Sequence, residues 1–262
     1  MHDLIWPAIS ALATLTTGMS RSAEITVVAP GGIRTALQRL IPVFEKQSGL
    51  TVTPTFTSGG AAKAKTVDGE LFDVPIVQPP LDSVLASGHV RAESETALAT
   101  VSVVVAVRSG IPKPDISNGE AVKRLLLAAQ SVACPSAARG AACGVSFDST
   151  LATLGIAEAM AAKIKLAPGG WGAIEMLARG EVEIGITFAS EIEADARVEL
   201  LGPLPRDISV PTGFVAFVNA RSKEPDAAAA LVKFLSSPDA AKTFEECGMI
   251  PSSLARSPSS AG

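Results

Sequence analysis

The chain has 262 residues, 47% of them hydrophobic and 18% charged, with a formal net charge of -4. That length and apolar fraction allow a well-buried core in one large or two smaller domains, whereas the negative balance and the 4% aromatic content argue against a basic nucleic-acid surface. Tyrosine is absent, and two histidines and three cysteines, with neither CxxC nor HExxH spacing, point to no metal or cofactor site.

Leu4 to Thr17 is apolar and alanine-rich, too short a stretch to be read as a bilayer span. It runs into Gly18-Met19-Ser20-Arg21-Ser22-Ala23, where Ser20 and Ser22 can fill the small subsites of signal peptidase. Residues 1–22 are therefore read as a signal peptide and the mature protein as periplasmic. The competing reading is an N-terminal helix of a cytosolic protein, since His2 and Asp3 stand where Lys or Arg is usual.

Ile25 to Ala29 is a β-branched apolar run and predicts a buried strand, broken by Pro30-Gly31-Gly32. Ala36, Leu37, Leu40, Ile41 and Phe44 then recur at helical spacing up to Gly49. A second strand, Thr51 to Thr57, enters Ser58-Gly59-Gly60 and a helical start carrying Lys63 and Lys65. Strand three is Phe72 to Val77, closed by Pro79 and Pro80, with a short helix from Leu81 to Ala86. Ala97 to Val107 exceeds the usual strand length and predicts a segment crossing between two lobes.

Beyond the polar turn Arg108 to Asn118, a helix is expected over Glu120 to Ala129 and a short strand over Ser131 to Cys134. The latter runs into Pro135 to Gly140 and a helix from Val145 to Leu154. A strand at Ile164 to Leu166 leads through Pro168-Gly169-Gly170 to a helix from Trp171 to Ala178. Val182 to Phe188 reads as a buried strand and Glu191 to Ala196 as a short polar helix. Strands at Val198 to Leu201 and Gly213 to Val218 precede helices at Asp226 to Phe234 and Asp239 to Cys247, the last opened by Ser237-Pro238.

This alternation predicts an α/β fold of two lobes with mixed, mostly parallel sheets and a hinge. Lobe 1 is assigned to residues 23–103 plus 205–262 and lobe 2 to 104–204. In such sheets ligands bind at the carboxyl ends of the strands, and bare helix N-termini favour anions. The turns at Gly31, Gly32 and Ser58, Gly59, Gly60 thus become a candidate anion site, set against two ordinary turns that use glycine for backbone reasons. Cys134 and Cys143 are close enough in sequence to form a disulfide in an oxidising compartment, or to remain free buried thiols.

Several segments resemble the type II periplasmic solute-binding proteins of the molybdate-binding branch. They are E-I-T-V-V-A-P-G-G-I at 24–33, F-E-K-Q-S-G-L-T-V at 44–52, S-G-G at 58–60, F-D-V-P-I at 72–76, R-G-E-V-E-I-G-I at 179–186 and F-L-S-S-P-D-A-A-K-T-F at 234–244. The resemblance implies an oxyanion held between two lobes, with contacts carried onto Pro30 to Ile33, Ser58, Gly140 to Gly144, Trp171 to Gly172 and Phe188. This sequence departs from the pattern in two places: glycine at 31 or 32 replaces a hydroxyl residue, and Phe188 replaces a tyrosine. Each lost donor to a buried charge costs about 1–3 kcal/mol. With Arg34 and Arg139 beside the turns, the site suits a small organic polyanion better than a bare tetrahedral oxyanion.

The runs S-G-I-P-K-P-D-I-S at 109–117, L-L-L-A-A-Q-S-V-A at 125–133 and L-L-G-P-L-P at 200–205 are similar to a side branch that includes aconitate isomerase. That likeness implies a monomer interconverting cis- and trans-aconitate by an allylic proton shift, without a cofactor. The alternative is a non-catalytic receptor that passes an oxyanion or carboxylate to an ABC permease. Arg34, Ser58, Lys63 and Arg139 are the candidate clamp, and Lys63 is the candidate proton carrier if burial lowers its pKa. Asp148 and Glu191 lie just after predicted cleft-facing elements and are weighed as proton carriers, but are read by preference as a helix cap and a solvated face; His89 is read as a surface or capping residue rather than a catalytic one. Trp171 is either a cleft wall or packing.

Overall fold

The computed structural model describes residues 23–192 and 195–255. The segment read as a signal peptide lies outside them. The chain opens with β1 (Glu24–Pro30), a 3-10 turn Gly31–Ile33 and α1 (Arg34–Ser48). It continues through β2 (Thr51–Thr57), α2 (Gly59–Val67), β3 (Val74–Val77), α3 (Asp82–Ala86) and β4 (Thr96–Val101). The middle of the chain is β5 (Val103–Arg108), α4 (Gly119–Ala128), β6 (Val132–Pro135), α5 (Ala142–Thr153), α6 (Ala157–Ala161), β7 (Ile164–Ala167), α7 (Gly170–Ala178), β8 (Ile184–Phe188) and β9 (Val198–Pro203). The return comprises β10 (Thr212–Ala216), α8 (Pro225–Leu235), α9 (Pro238–Glu246), β11 (Ile250–Pro251) and α10 (Ser252–Ala255).

Local chemistry accounts for these limits. Along α1, Ala36, Leu37, Leu40, Ile41 and Phe44 form the buried stripe, and each large side chain so buried contributes about 1.5–3 kcal/mol. Gly49 ends α1 in the left-handed region at φ 72°, its amide bonded to Glu45 O. Ser58, Asn118 and Ser237 cap α2, α4 and α9 by accepting from the amides of Ala61, Ala121 and Ala240.

Two mixed sheets result, ordered β11-β4-β10-β3-β1-β2 and β7-β6-β8-β5-β9. β1 pairs in parallel with β2 and β3, and β6 with β7 and β8. β10 runs antiparallel to β3 and β4, and β5 runs antiparallel to β8 and β9. The predicted long crossing run is two strands, one in each sheet, with Ser102 between them. A single straight ladder cannot serve two sheets, so the chain leaves one partner set and joins the other there. Ser102 O accepts from Ala189 N at 3.1 Å, and Val103 O accepts from Leu204 N at 2.9 Å. The chain returns to the first sheet between Pro203 and Thr212.

One expected element needs correction. In place of a helix from Glu191 to Ala196, a 3-10 turn spans Ala189–Glu191, Ile192 is extended, and Ala196 lies in a turn; residues 193 and 194 are outside the described set. Strand β11 and helix α10 follow the last predicted helix, and β11 adds an edge to the first sheet beside β4. Of the two readings left open for Cys134 and Cys143, the free buried thiols are the one observed, and Cys247 is likewise free and buried.

Candidate functional site

Parallel strands β1, β2, β6 and β7 each end in a small-residue turn that opens a helix: α1, α2, α5 and α7, respectively. The four turns meet in one cleft of about 580 Å³ between the sheets, within the range of small-molecule sites. Its wall includes Gly31, Gly32, Ser58, Gly59, Ala142, Cys143, Gly169 and Gly170. No side chain caps the first turns of α1, α5 or α7, so main-chain N–H groups and the positive ends of these helix dipoles remain for an anion. Ser58 Oγ accepts from Ala61 N at 3.2 Å, and its own hydrogen is left to donate.

Two guanidinium groups line the cleft. Arg34 stands at the start of α1, its guanidinium 4.9 Å from the centre of the Phe56 ring. Arg139 closes the 3-10 turn Ala137–Arg139 before α5. Neither is ion-paired among the described residues. The two sides of the cleft also touch. Gly60 N donates to Gly140 O at 3.2 Å, and Ser190 Oγ donates to Gly32 O at 2.6 Å.

Two further side chains reach the cleft from the carboxyl ends of β3 and β8. Gln78 follows β3 and is 6% exposed. Its Nε2 is buried without a hydrogen-bond partner among the described residues, at a cost of about 1–3 kcal/mol that an acceptor oxygen would relieve. Gly59 leaves room for it, since a β-carbon there would stand 2.0 Å from Gln78 Oε1 and push the amide aside. Glu191 ends the 3-10 turn after β8 and lines the cleft, with its Oε2 accepting from Thr187 Oγ1 at 3.2 Å. Burial pushes this carboxyl above its ordinary range, against the Thr187 hydroxyl, the Phe188 main chain and the Arg34 charge, which pull it down.

A family model described as bacterial extracellular solute-binding protein matches residues 25–250. The chain belongs to that family. This solute-binding protein is 33% identical over 235 residues to aconitate isomerase of a Pseudomonas species, covering 87% of each chain. It is 24% identical over 253 residues to the molybdate-binding protein of Escherichia coli, covering 94% of this chain and 96% of that one. Among solved structures, the periplasmic molybdate-binding protein of Azotobacter vinelandii matches with a TM-score of 0.70 at 20% identity, over 86% of this chain and 98% of that chain. The two-lobe fold of the molybdate-binding branch, expected from the sequence, is thus the one observed.

In this solute-binding protein, Gly31, Gly32, Arg34, Ser58, Gly59, Arg139, Trp171 and Phe188 all line the cleft. Trp171 is 57% exposed on the first turn of α7, whereas Phe188 is buried and packs its ring against Gly32. Ile33 is buried in the core, and Gly60 and Gly140 bond to each other beside the cleft. Lys63 is not among the lining residues. Its Nζ donates to Pro80 O at 2.8 Å, and although burial lowers its pKa, against the nearby Asp82, the amine is turned to that carbonyl. Asp148 is an exposed interior residue of α5 rather than a cap. The solvated face assigned to Glu191 is in fact a wall of the cleft. Both Gln78 and Glu191 carried a usable signal, a polar residue at the carboxyl end of a buried strand, by the same rule that located the glycine turns.

Proposed function

We propose that this protein is a periplasmic isomerase interconverting cis- and trans-aconitate in the cleft between its lobes. The observation that carries this reading is the pair Arg34 and Arg139, which flank one cleft from opposite sheets and form no ion pair among the described residues. Forked guanidinium groups match planar carboxylates in a bidentate manner. Main-chain amides at the uncapped starts of α1, α5 and α7 and the Gln78 amide supply further donors for a third carboxylate. The apolar floor at Phe188 suits a carbon skeleton better than another oxygen. The 33% identity to an aconitate isomerase supports the same substrate class.

The reaction needs no redox partner. A base takes one proton from the methylene carbon, breaking a C–H bond. The electron pair spreads over the allylic system into the adjacent carboxylates, and a proton is delivered to the former vinyl carbon as the double bond moves. Cations and N–H groups around the carboxylates stabilise the intermediate. The protein would act as a monomer on a small polyanion.

Incubation of the purified protein with cis-aconitate, followed by chromatography, is expected to show the trans isomer. Absence of turnover together with tight molybdate or tungstate binding by calorimetry would overturn this reading. It would favour a transport receptor serving an ABC permease, the role supported by the four converging helix N-termini and by the molybdate-binding relatives.

A further inference from the structure

We propose that Glu191 is the catalytic residue that carries the proton between the two carbons of the substrate; this assignment rests on the isomerase reading. The carboxyl sits where the two lobes meet. A β-carbon on Gly31 would lie 3.8 Å from Oε1, and one on Gly170 would lie 2.3 Å from Oε2 and 2.0 Å from Thr187 Oγ1. Glu191 therefore occupies space that any side chain at Gly170 would fill, between the start of α7 and the turn after β1. Thr187, fully buried on β8, holds one oxygen by its hydroxyl, which orients the group toward the cleft.

The other titratable groups around this carboxyl are unsuited to the task. Arg34 faces it from α1 and Arg139 lines the same cleft; a guanidinium offers donors and no acceptor, which suits it to clamp a carboxylate. Cys143 faces it from α5, and burial, Glu191 and Cys134 all push that thiol well above its ordinary pKa, so it stays protonated near neutrality. Lys63 is turned to Pro80 O. Glu191 alone among the carboxylates of the described residues lines the cleft, and its upward shift brings its basicity closer to what a general base needs at working pH.

The step balances without a co-reactant. Glu191 takes one methylene proton as a carboxylate, holds it as a neutral acid while the allylic anion persists, and returns one proton to the former vinyl carbon.

The test compares the full-length wild type with E191Q, using cis-aconitate for turnover and tricarballylate, the saturated tricarboxylate, for binding. E191Q is expected to lose about 10²–10⁴-fold in kcat, to stop exchange of substrate methylene hydrogen in D2O, and to bind tricarballylate at least as tightly as the wild type, since one negative charge has left the cleft. Wild-type turnover with E191Q within about tenfold of it would overturn the assignment, because that loss is smaller than general acid–base catalysis supplies. No wild-type turnover would instead overturn the isomerase reading, and the role of Glu191 with it. T187V provides a second measurement should E191Q fail to fold. Losing the hydroxyl that pulls the carboxyl pKa down is expected to move the acid limb of the kcat/KM profile to higher pH. An unmoved limb would overturn the assignment.

Discussion

Asp73 and Glu191 are both partly buried carboxylates, yet their surroundings pull them in opposite directions. Asp73 sits just before β3 and accepts from Thr26 N at 2.9 Å, Thr26 Oγ1 at 2.7 Å and Ser222 Oγ at 2.6 Å. Burial works to raise its pKa, but the bonds from Ser222 and Thr26 outweigh it and hold the group below its usual range. For Glu191, burial prevails over the Thr187 hydroxyl, the Phe188 main chain and a more distant cation. Depth of burial set against the donors that face it decides whether a carboxylate serves as a fastening or remains reactive, and Glu191 is the more deeply buried of the two. Asp73 ties β1 to the chain entering β3 and to the turn before α8, whereas Glu191 is left poised in the cleft.

The strongest way to break this contrast is Gly170→Ala. Its β-carbon would displace Thr187 Oγ1 and the Glu191 carboxyl, and a shift near 1 Å at a reacting group can cost about 100-fold. Steady-state assays should show that loss in kcat; full activity would mean that the Glu191 position is immaterial. Removing Arg34 or Arg139 by alanine is expected to weaken tricarboxylate binding by roughly 10–100-fold, the range for a charge-assisted bond. Calorimetry checks the affinity. Only Arg34→Ala should also raise the pH of the acid limb, because Arg34 is the cation that pulls the Glu191 pKa down.

Smaller effects concern stability. Asp73→Asn should cost on the order of 1 kcal/mol near neutrality, after allowance for the solvent exposure of the site. A depressed carboxylate contributes stability above the unfolded pKa and loses it as pH falls through the folded pKa. Denaturant titrations of wild type and Asp73→Asn should therefore converge in acid. Glu191 has the opposite sign: with its folded pKa raised, native stability declines as pH rises from the ordinary carboxylate range through the raised value. E191Q should accordingly melt slightly higher than wild type at neutral pH, by roughly 2–4 °C for each kcal/mol relieved, and a melt at acid pH should erase the gain.

Much of this could be read from residue order. The stripe of α1, the Ser58 and Ser237 caps and the small-residue ends of β1, β2, β6 and β7 are local features, set by side-chain periodicity, hydroxyl chemistry and glycine geometry. Other features depend on partners distant in the chain. A continuous β-branched run from Ala97 to Val107 gives no local sign that it must divide at Ser102, because the division belongs to the two sheets it joins. Glu191 follows a predicted buried strand, but only Gly31, Thr187 and Gly170 closing around it make it a wall of the cleft rather than a solvated face. Lys63 and Arg139 are both cations beside glycine turns, but one is turned to Pro80 O and the other to the cleft.

The sequence by itself determined an alternating α/β chain whose strands end in anion-ready turns, because each of those properties lives within a few neighbouring residues. Only the tertiary structure decided which charges share the cleft and which carboxylate keeps its proton longer, because burial and donor count are set by segments as far apart as α1, α5 and the turn after β8.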